Sequence, residues 1–122
     1  NIVENGTTIL KFFLHLSKDE QRDRFLERIS HKEKNWKFSS GDIRERQFWS
    51  AYQSAYELAL SRTSSDTAPW YVIPADDKLY AHLLISRIIL ETLRTMNPTF
   101  PPVSKKEKDY MKHAQEQLQK EV

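Results

Sequence analysis

At 122 residues the chain has room for one domain with a modest core. Hydrophobic residues at 39% and charged residues at 30% exclude a wholly disordered chain. The absence of cysteine excludes disulfides and thiolate chemistry, and a net charge of +2 is too small to imply nucleic-acid binding by itself.

No apolar run approaches the ~20 residues a membrane-spanning helix needs. The chain begins at Asn1 and reads as a piece of a longer protein. Residues 1–4 read as the tail of a preceding helix, ended by the turn signal Asn5-Gly6-Thr7. Residues 8–16 are rich in β-branched, aromatic and other apolar side chains on both faces, the pattern of a strand in a parallel sheet. Ser17 followed by Glu20 is a capping box and predicts a helix over 18–30. On that helix Phe25, Leu26 and Ile29 form the apolar side. Gln21, Arg24 and Arg28 share the neighbouring edge, because spacings of three and four fall on one face.

Lys18, Arg22, Arg24, Arg28, Lys32, Lys34 and Lys37 make this stretch the most basic in the chain, although interleaved acids also fit an ordinary solvated face. Residues 34–38 form a loop in which Trp36 and Phe38 are expected to be anchors. Ser39 or Ser40 then caps a long helix through about Ser61, with Asp42 in its first turn and an apolar seam of Trp49, Tyr52, Tyr56 and Ala59. A polar loop over 63–67 leads to a short strand over 70–73, stopped by Pro74. Asp76 and Asp77 cap and charge the next helix, 78–96, whose apolar residues cover most of its circumference and predict a largely buried element. Pro98, Pro101 and Pro102 break the chain. A second capping box, Ser104 with Glu107, starts a polar final helix over 105–120, whose thin stripe of Tyr110, Ala114 and Leu118 should pack weakly.

The four histidines, His15, His31, His82 and His113, show no metal-binding spacing with one another or with a carboxylate, and no metal ligand is assigned. His82 reads as a core or boundary histidine. With two glycines the chain holds no glycine-rich phosphate loop, and no G-x-S-x-G nucleophile motif is present. What remains is anion binding. Arg24 and Arg28 offer planar, bidentate donors suited to phosphate oxygens. Lys18 sits in a helix first turn, where the dipole disfavours a cation unless an anion or Asp19 or Glu20 offsets it. Lys32, Lys34 and Lys37 are weaker candidates. At the second junction Asp76 reads as a helix cap and Lys78 as solvent-facing.

In colinear order the stretches Leu10 to Gln21, Arg24-Phe25, Arg28, Lys34 to Ser39, Trp49-x-x-Tyr52, Ala55-Tyr56-Glu57 and Ala68 to Lys78 resemble the polyphosphate kinase type 2 family across roughly residues 1–96. The resemblance implies an α/β parentage, the C-terminal part of a P-loop kinase fold. The piece itself is mostly helical, with two short strands at about 8–16 and 70–73. It implies a kinase-domain part over 1–96, a lid region at about 17–40 and a helical tail over 97–122. It implies transfer of phosphoryl groups between inorganic polyphosphate and nucleoside mono- or diphosphates, with Mg2+ held mainly by the family's phosphate loop and acidic strand motif. Those motifs are expected N-terminal to Asn1, so the piece alone is expected to be inactive. Arg24 and Arg28 are then the catalytic lid cations, and Lys18, Lys37, Asp76 and Lys78 bind polyphosphate or nucleotide or order the site's edge. A cytoplasmic homo-oligomer with no nucleic-acid or membrane partner is the implied setting. The family commonly has arginine where His82 stands, so that arginine's role is not carried over. Two competing expectations are a non-catalytic helical module binding polyanions or a protein, and a merely structural piece whose exposed core surface self-associates.

Overall fold

The computed structural model describes residue 3 and residues 5–121. The helix tail expected over 1–4 falls outside these, apart from Val3, whose carbonyl accepts the Gly6 N–H at 3.0 Å in the turn the sequence signals. Gly6 closes that turn at φ 82°, a backbone conformation glycine adopts without strain.

The elements follow in the order β1 (Lys11–His15), α1 (Lys18–Ser30), a 3₁₀ segment (Lys32–Lys37), α2 (Ser40–Glu45), a second 3₁₀ turn (Arg46–Phe48), α3 (Trp49–Thr63), β2 (Trp70–Pro74), α4 (Lys78–Met96) and α5 (Lys105–Gln119). The chain is mostly helical with a two-stranded parallel sheet, as the sequence implies; β1 is shorter than the 8–16 expected and is built on Phe12 and Phe13, while β2 carries the aromatic and β-branched run Trp70 to Ile73. β1 and β2 pair in parallel from Lys11 opposite Trp70 to His15 opposite Pro74, and the helices between them supply the crossover that parallel pairing requires. Phe12 and Tyr71 meet across the sheet with ring centroids 5.6 Å apart. Pro74 lacks a donor, and Ala75 N–H continues the ladder to the His15 carbonyl at 2.9 Å.

The chain resolves into two compact units, 1–91 and 92–122. In the first, the buried apolar residues are Ile73, Ala75 and Ala81, so the tightest packing lies where β2 runs into α4. The second unit contains α5, which starts at a complete capping box: Ser104 Oγ accepts Glu107 N–H, and the Glu107 carboxylate accepts Ser104 N–H at 3.1 Å.

Three expectations are corrected. The long helix from Ser39 or Ser40 to Ser61 is broken at Arg46–Phe48, where Arg46 turns toward Gln21 of α1 and donates to its side-chain oxygen at 2.7 Å. α4 is not largely buried: Ala81 is its buried residue, while Leu79 is 81% and Leu83 63% exposed, and His82 is exposed as well. Its periodicity describes an apolar surface capable of burial, but a two-stranded sheet covers little of it. Trp36 and Phe38 do not anchor their loop, for Trp36 is 78% exposed with the Lys37 ammonium 5.1 Å above its ring. The loop is instead held by the Asn35 amide, which donates to the Arg28 and Ile29 carbonyls at 2.7 and 2.9 Å and so satisfies the end of α1.

Candidate functional site at the paired strand ends

Two strand-to-helix junctions lie side by side at the carboxyl ends of the parallel strands, β1 into α1 and β2 into α4. This is the end of an α/β sheet where ligands bind. Ser17 is the N-cap of α1, its hydroxyl accepting the Glu20 N–H at 3.1 Å. The reciprocal half of the capping box is rerouted. The Ser17 N–H goes to Asp76 Oδ1 at 2.8 Å, across 59 residues of sequence, and the Glu20 carboxylate accepts from Arg24 Nε at 2.8 Å.

The adjacent acids Asp76 and Asp77 divide their work. Asp77 Oδ1 accepts the Tyr80 N–H at 3.0 Å and caps α4, while Asp76 reaches back to α1. Asp76 therefore does not cap α4. The hydrogen bonds from Ser17, chiefly from its backbone N–H, hold the Asp76 carboxyl below its ordinary range, with the nearby charges of Arg24 and His15 acting in the same direction.

The edge read as one stripe on α1 separates into two directions. Arg24 turns to the sheet end, where Nη2 donates to the Ala75 carbonyl at 2.8 Å and the Asp76 carbonyl at 3.2 Å. Gln21 and Arg28, seven residues apart and almost aligned, face the segment that follows the 3₁₀ loop. Gln21 accepts from Arg46, and Arg28 Nη1 lies 3.8 Å from Asp42 of α2 with its guanidinium 5.3 Å from the Phe25 ring centroid. Arg24 is thus bound tightly within the fold, whereas the Arg28 ion pair is loose and Arg28 is about one-third exposed. Lys18 and Lys78 stand exposed at the starts of α1 and α4, one at each junction. The hydrogen bond and ion pair from Lys34 hold the Glu27 carboxyl below its ordinary range, and Lys78 is close enough to add a smaller part to that lowering. Lys37 lies exposed at the end of the 3₁₀ segment, over Trp36.

Beside β1 opens a cleft of about 670 Å³ lined by aromatic groups including Phe13, Phe25, Trp49 and Tyr56, with Gln21 and Arg46 at its polar side. Phe13 meets Tyr56 at 5.1 Å, which places the apolar seam of α3 against the sheet. Sequence reasoning missed Asp42 and Arg46 as partners of α1. The only local signal was the charged run Asp42 to Arg46, and their contacts span 14 and 25 residues, beyond helical periodicity.

The Polyphosphate kinase 2 (PPK2) family model matches residues 1–101. The chain is 52% identical over 116 residues to an ADP-polyphosphate phosphotransferase of Rhodopseudomonas palustris, which covers 95% of this chain and 40% of that protein. It is 52% identical over 100 residues to an AMP/ADP-polyphosphate phosphotransferase of Meiothermus ruber, covering 82% of this chain and 38% of that one. The crystal structure of Polyphosphate Kinase 2 from Arthrobacter aurescens TC1 matches with a TM-score of 0.81 at 37% identity, over 90% of this chain and 40% of that chain. The chain spans about two-fifths of the length of each of these proteins. A family match over residues 1–101, with the α/β path of a solved member reproduced, makes the chain a member of the polyphosphate kinase 2 family.

Proposed function

We propose that the chain is the lid-bearing part of a polyphosphate-dependent nucleotide kinase, transferring phosphoryl groups between inorganic polyphosphate and a nucleoside mono- or diphosphate. Residues 1–96 belong to a P-loop kinase domain, with the lid region at about 17–40, and residues 97–122 form a helical tail. The names of the relatives, ADP- and AMP/ADP-polyphosphate phosphotransferases, support the substrate class. Phosphoryl transfer is catalysed mainly by positioning and by neutralising charge on the phosphate oxygens.

The observation that carries the reading is Arg28. It is partly exposed, points toward α2, and among the described residues is balanced by a 3.8 Å contact with Asp42 and the face of Phe25. A polyphosphate oxygen is a stronger partner for a guanidinium than a carboxylate held at that distance, so the anion displaces Asp42 and draws Arg28 onto the transferred group. Arg24 supports this from behind, holding α1 to the sheet end, with its charge directed at the same junction. Lys18 and Lys78 flank the strand ends and guide the anion, and Lys37 extends the basic track along the lid region. Asp76 orders the edge of the site.

Among the described residues no group of three His, Asp or Glu side chains is placed to hold a metal ion. Following the family resemblance, Mg2+ in the working enzyme is assigned to the phosphates and to residues in the other three-fifths of the family fold, and no step here runs through it. No helix among the described residues is long and apolar enough to cross a membrane. We place the enzyme in the cytoplasm as a homo-oligomer, without nucleic-acid or membrane partners. The alternative of a polyanion-binding module is less favoured because Arg22, Arg24 and Lys34 are already paired with Asp19 and Asp23, Glu20 and Glu27.

The test is a phosphoryl-transfer assay of the full-length protein with polyphosphate and ADP or AMP. Arg28→Ala lowers turnover by about 10²-fold, the cost of removing one donor to developing charge. Normal turnover in that variant sinks the lid assignment.

A further inference from the structure

Asp76 has an exposed carboxylate with two basic neighbours, Arg24 and His15, which is the appearance of a charged ligand-handling group. Its geometry says otherwise. Oδ1 is spent on the backbone N–H of Ser17 at 2.8 Å, and the Asp76 carbonyl accepts from Arg24 Nη2 at 3.2 Å, beside the Ala75 carbonyl at 2.8 Å. One residue therefore binds α1 twice, at the N-cap backbone through its side chain and at the Arg24 guanidinium, seven residues on, through its backbone. Ala75, between the strand and Asp76, is buried and donates to the His15 carbonyl at 2.9 Å, so the acceptor stands on the best-packed point of the unit. Glu20, the residue that a capping box would assign to the Ser17 N–H, is thereby released to hold Arg24 Nε.

We propose that Asp76 is a positioning residue that sets the N-terminus of α1, and through it Lys18 and Arg24, against the carboxyl end of the sheet by accepting the Ser17 N–H. The carboxylate works here as a hydrogen-bond acceptor for the N-cap of α1, and not as a charge that contacts a ligand. Its effect on catalysis rests on the kinase reading above; its effect on α1 does not. Asparagine presents an amide oxygen at the same reach and preserves the contact without the charge, whereas alanine removes the acceptor and leaves the N-cap N–H without it.

The experiment compares Asp76→Ala and Asp76→Asn in the full-length protein, reading amide hydrogen exchange at Ser17 and the KM for polyphosphate. In Asp76→Ala, Ser17 exchange rises by about tenfold or more, the scale of one hydrogen bond to a charged group. The KM for polyphosphate rises with it, because α1 no longer presents its cations in register. Asp76→Asn recovers both. A merely structural acid lowers the active fraction and so the apparent kcat, and leaves KM where it was; that result overturns the proposal. So does an asparagine variant as impaired as the alanine one, which assigns the role to charge, and so does unchanged Ser17 exchange in Asp76→Ala. Should the alanine variant fail to fold, the asparagine variant alone decides, since the two roles predict opposite outcomes for it. Should the wild-type protein show no polyphosphate-dependent transfer, the kinase reading fails while Ser17 exchange still tests the contact.

Discussion

Aromatic residues beside lysines in a basic loop invite an anchoring role, and Trp36 shows why the invitation is misleading. Its ring is 78% exposed and touches the Lys37 ammonium, while the fastening of the loop is done by Asn35, a neutral side chain bonded to two carbonyls at the end of α1. An exposed cation–π contact contributes only about 0.5–1 kcal/mol. Trp36→Ala is therefore expected to change unfolding free energy by no more than about that amount in a denaturant titration. Asn35→Ala, which leaves two helix-end carbonyls without their amide donor, is expected to cost more. The reverse order would restore the tryptophan as the anchor. The same contrast holds between the two arginines of α1: Arg24 is fixed by one carboxylate and two carbonyls, whereas Arg28 is held by a looser 3.8 Å contact with Asp42.

Among the elements, those whose determinants are local were legible in the sequence. α1 starts and ends where the N-cap serine and the apolar spacing place it, and α5 starts at the capping box read from Ser104 and Glu107. The break between α2 and α3 was not legible, because it coincides with Arg46 reaching a glutamine 25 residues earlier. Asp76 could be picked out by the family motif, but its partner lies 59 residues away, and no periodicity reports such a pairing. At α5 the local cap carries its own prediction. The hydrogen bonds from Ser104, the side-chain hydroxyl foremost, hold the Glu107 carboxyl below its ordinary range. A depressed carboxyl contributes stability that is fully present above its unfolded pKa of about 4.3 and is lost as pH falls through the lower folded value. The Ser104 amide, which donates to Glu107, is accordingly expected to shift in NMR spectra as the pH is lowered below about 4. Glu107→Gln keeps an acceptor and abolishes that titration. Ser104→Ala, which removes the cap hydroxyl, is expected to destabilise α5 by about 1 kcal/mol. A Ser104 amide that titrates identically in the Gln variant would assign the shift to another group.

At the scale of the whole molecule many large apolar side chains of the described residues stay exposed. The core of the first unit is Ile73, Ala75 and Ala81, while Leu79, Leu83, Leu90 and Val72 stand about half exposed or more. Among the described residues the sheet has two strands, each with an unpaired edge, and edges of this kind pair with whatever strand is offered. Exposed patches beyond a few hundred Å² are rare on soluble monomers. The family relatives are about two and a half times as long as the stretch this chain matches, consistent with a surface made to be covered by more protein. The 122-residue chain by itself is therefore expected to associate with increasing concentration in sedimentation experiments and to bind an apolar dye. Salt is expected to weaken the association little, because the attraction is apolar and the net charge is only +2. Leu83→Lys places a charge on the exposed face of α4, where the native side chain is 63% exposed and little packing is lost. It should lower association while leaving the helical circular dichroism unchanged. A monomeric wild-type chain that binds no dye would mean that this face is covered within the chain itself. Association that survives Leu83→Lys but disappears at high salt would move the contact from the apolar face of α4 to the charged surface of α1.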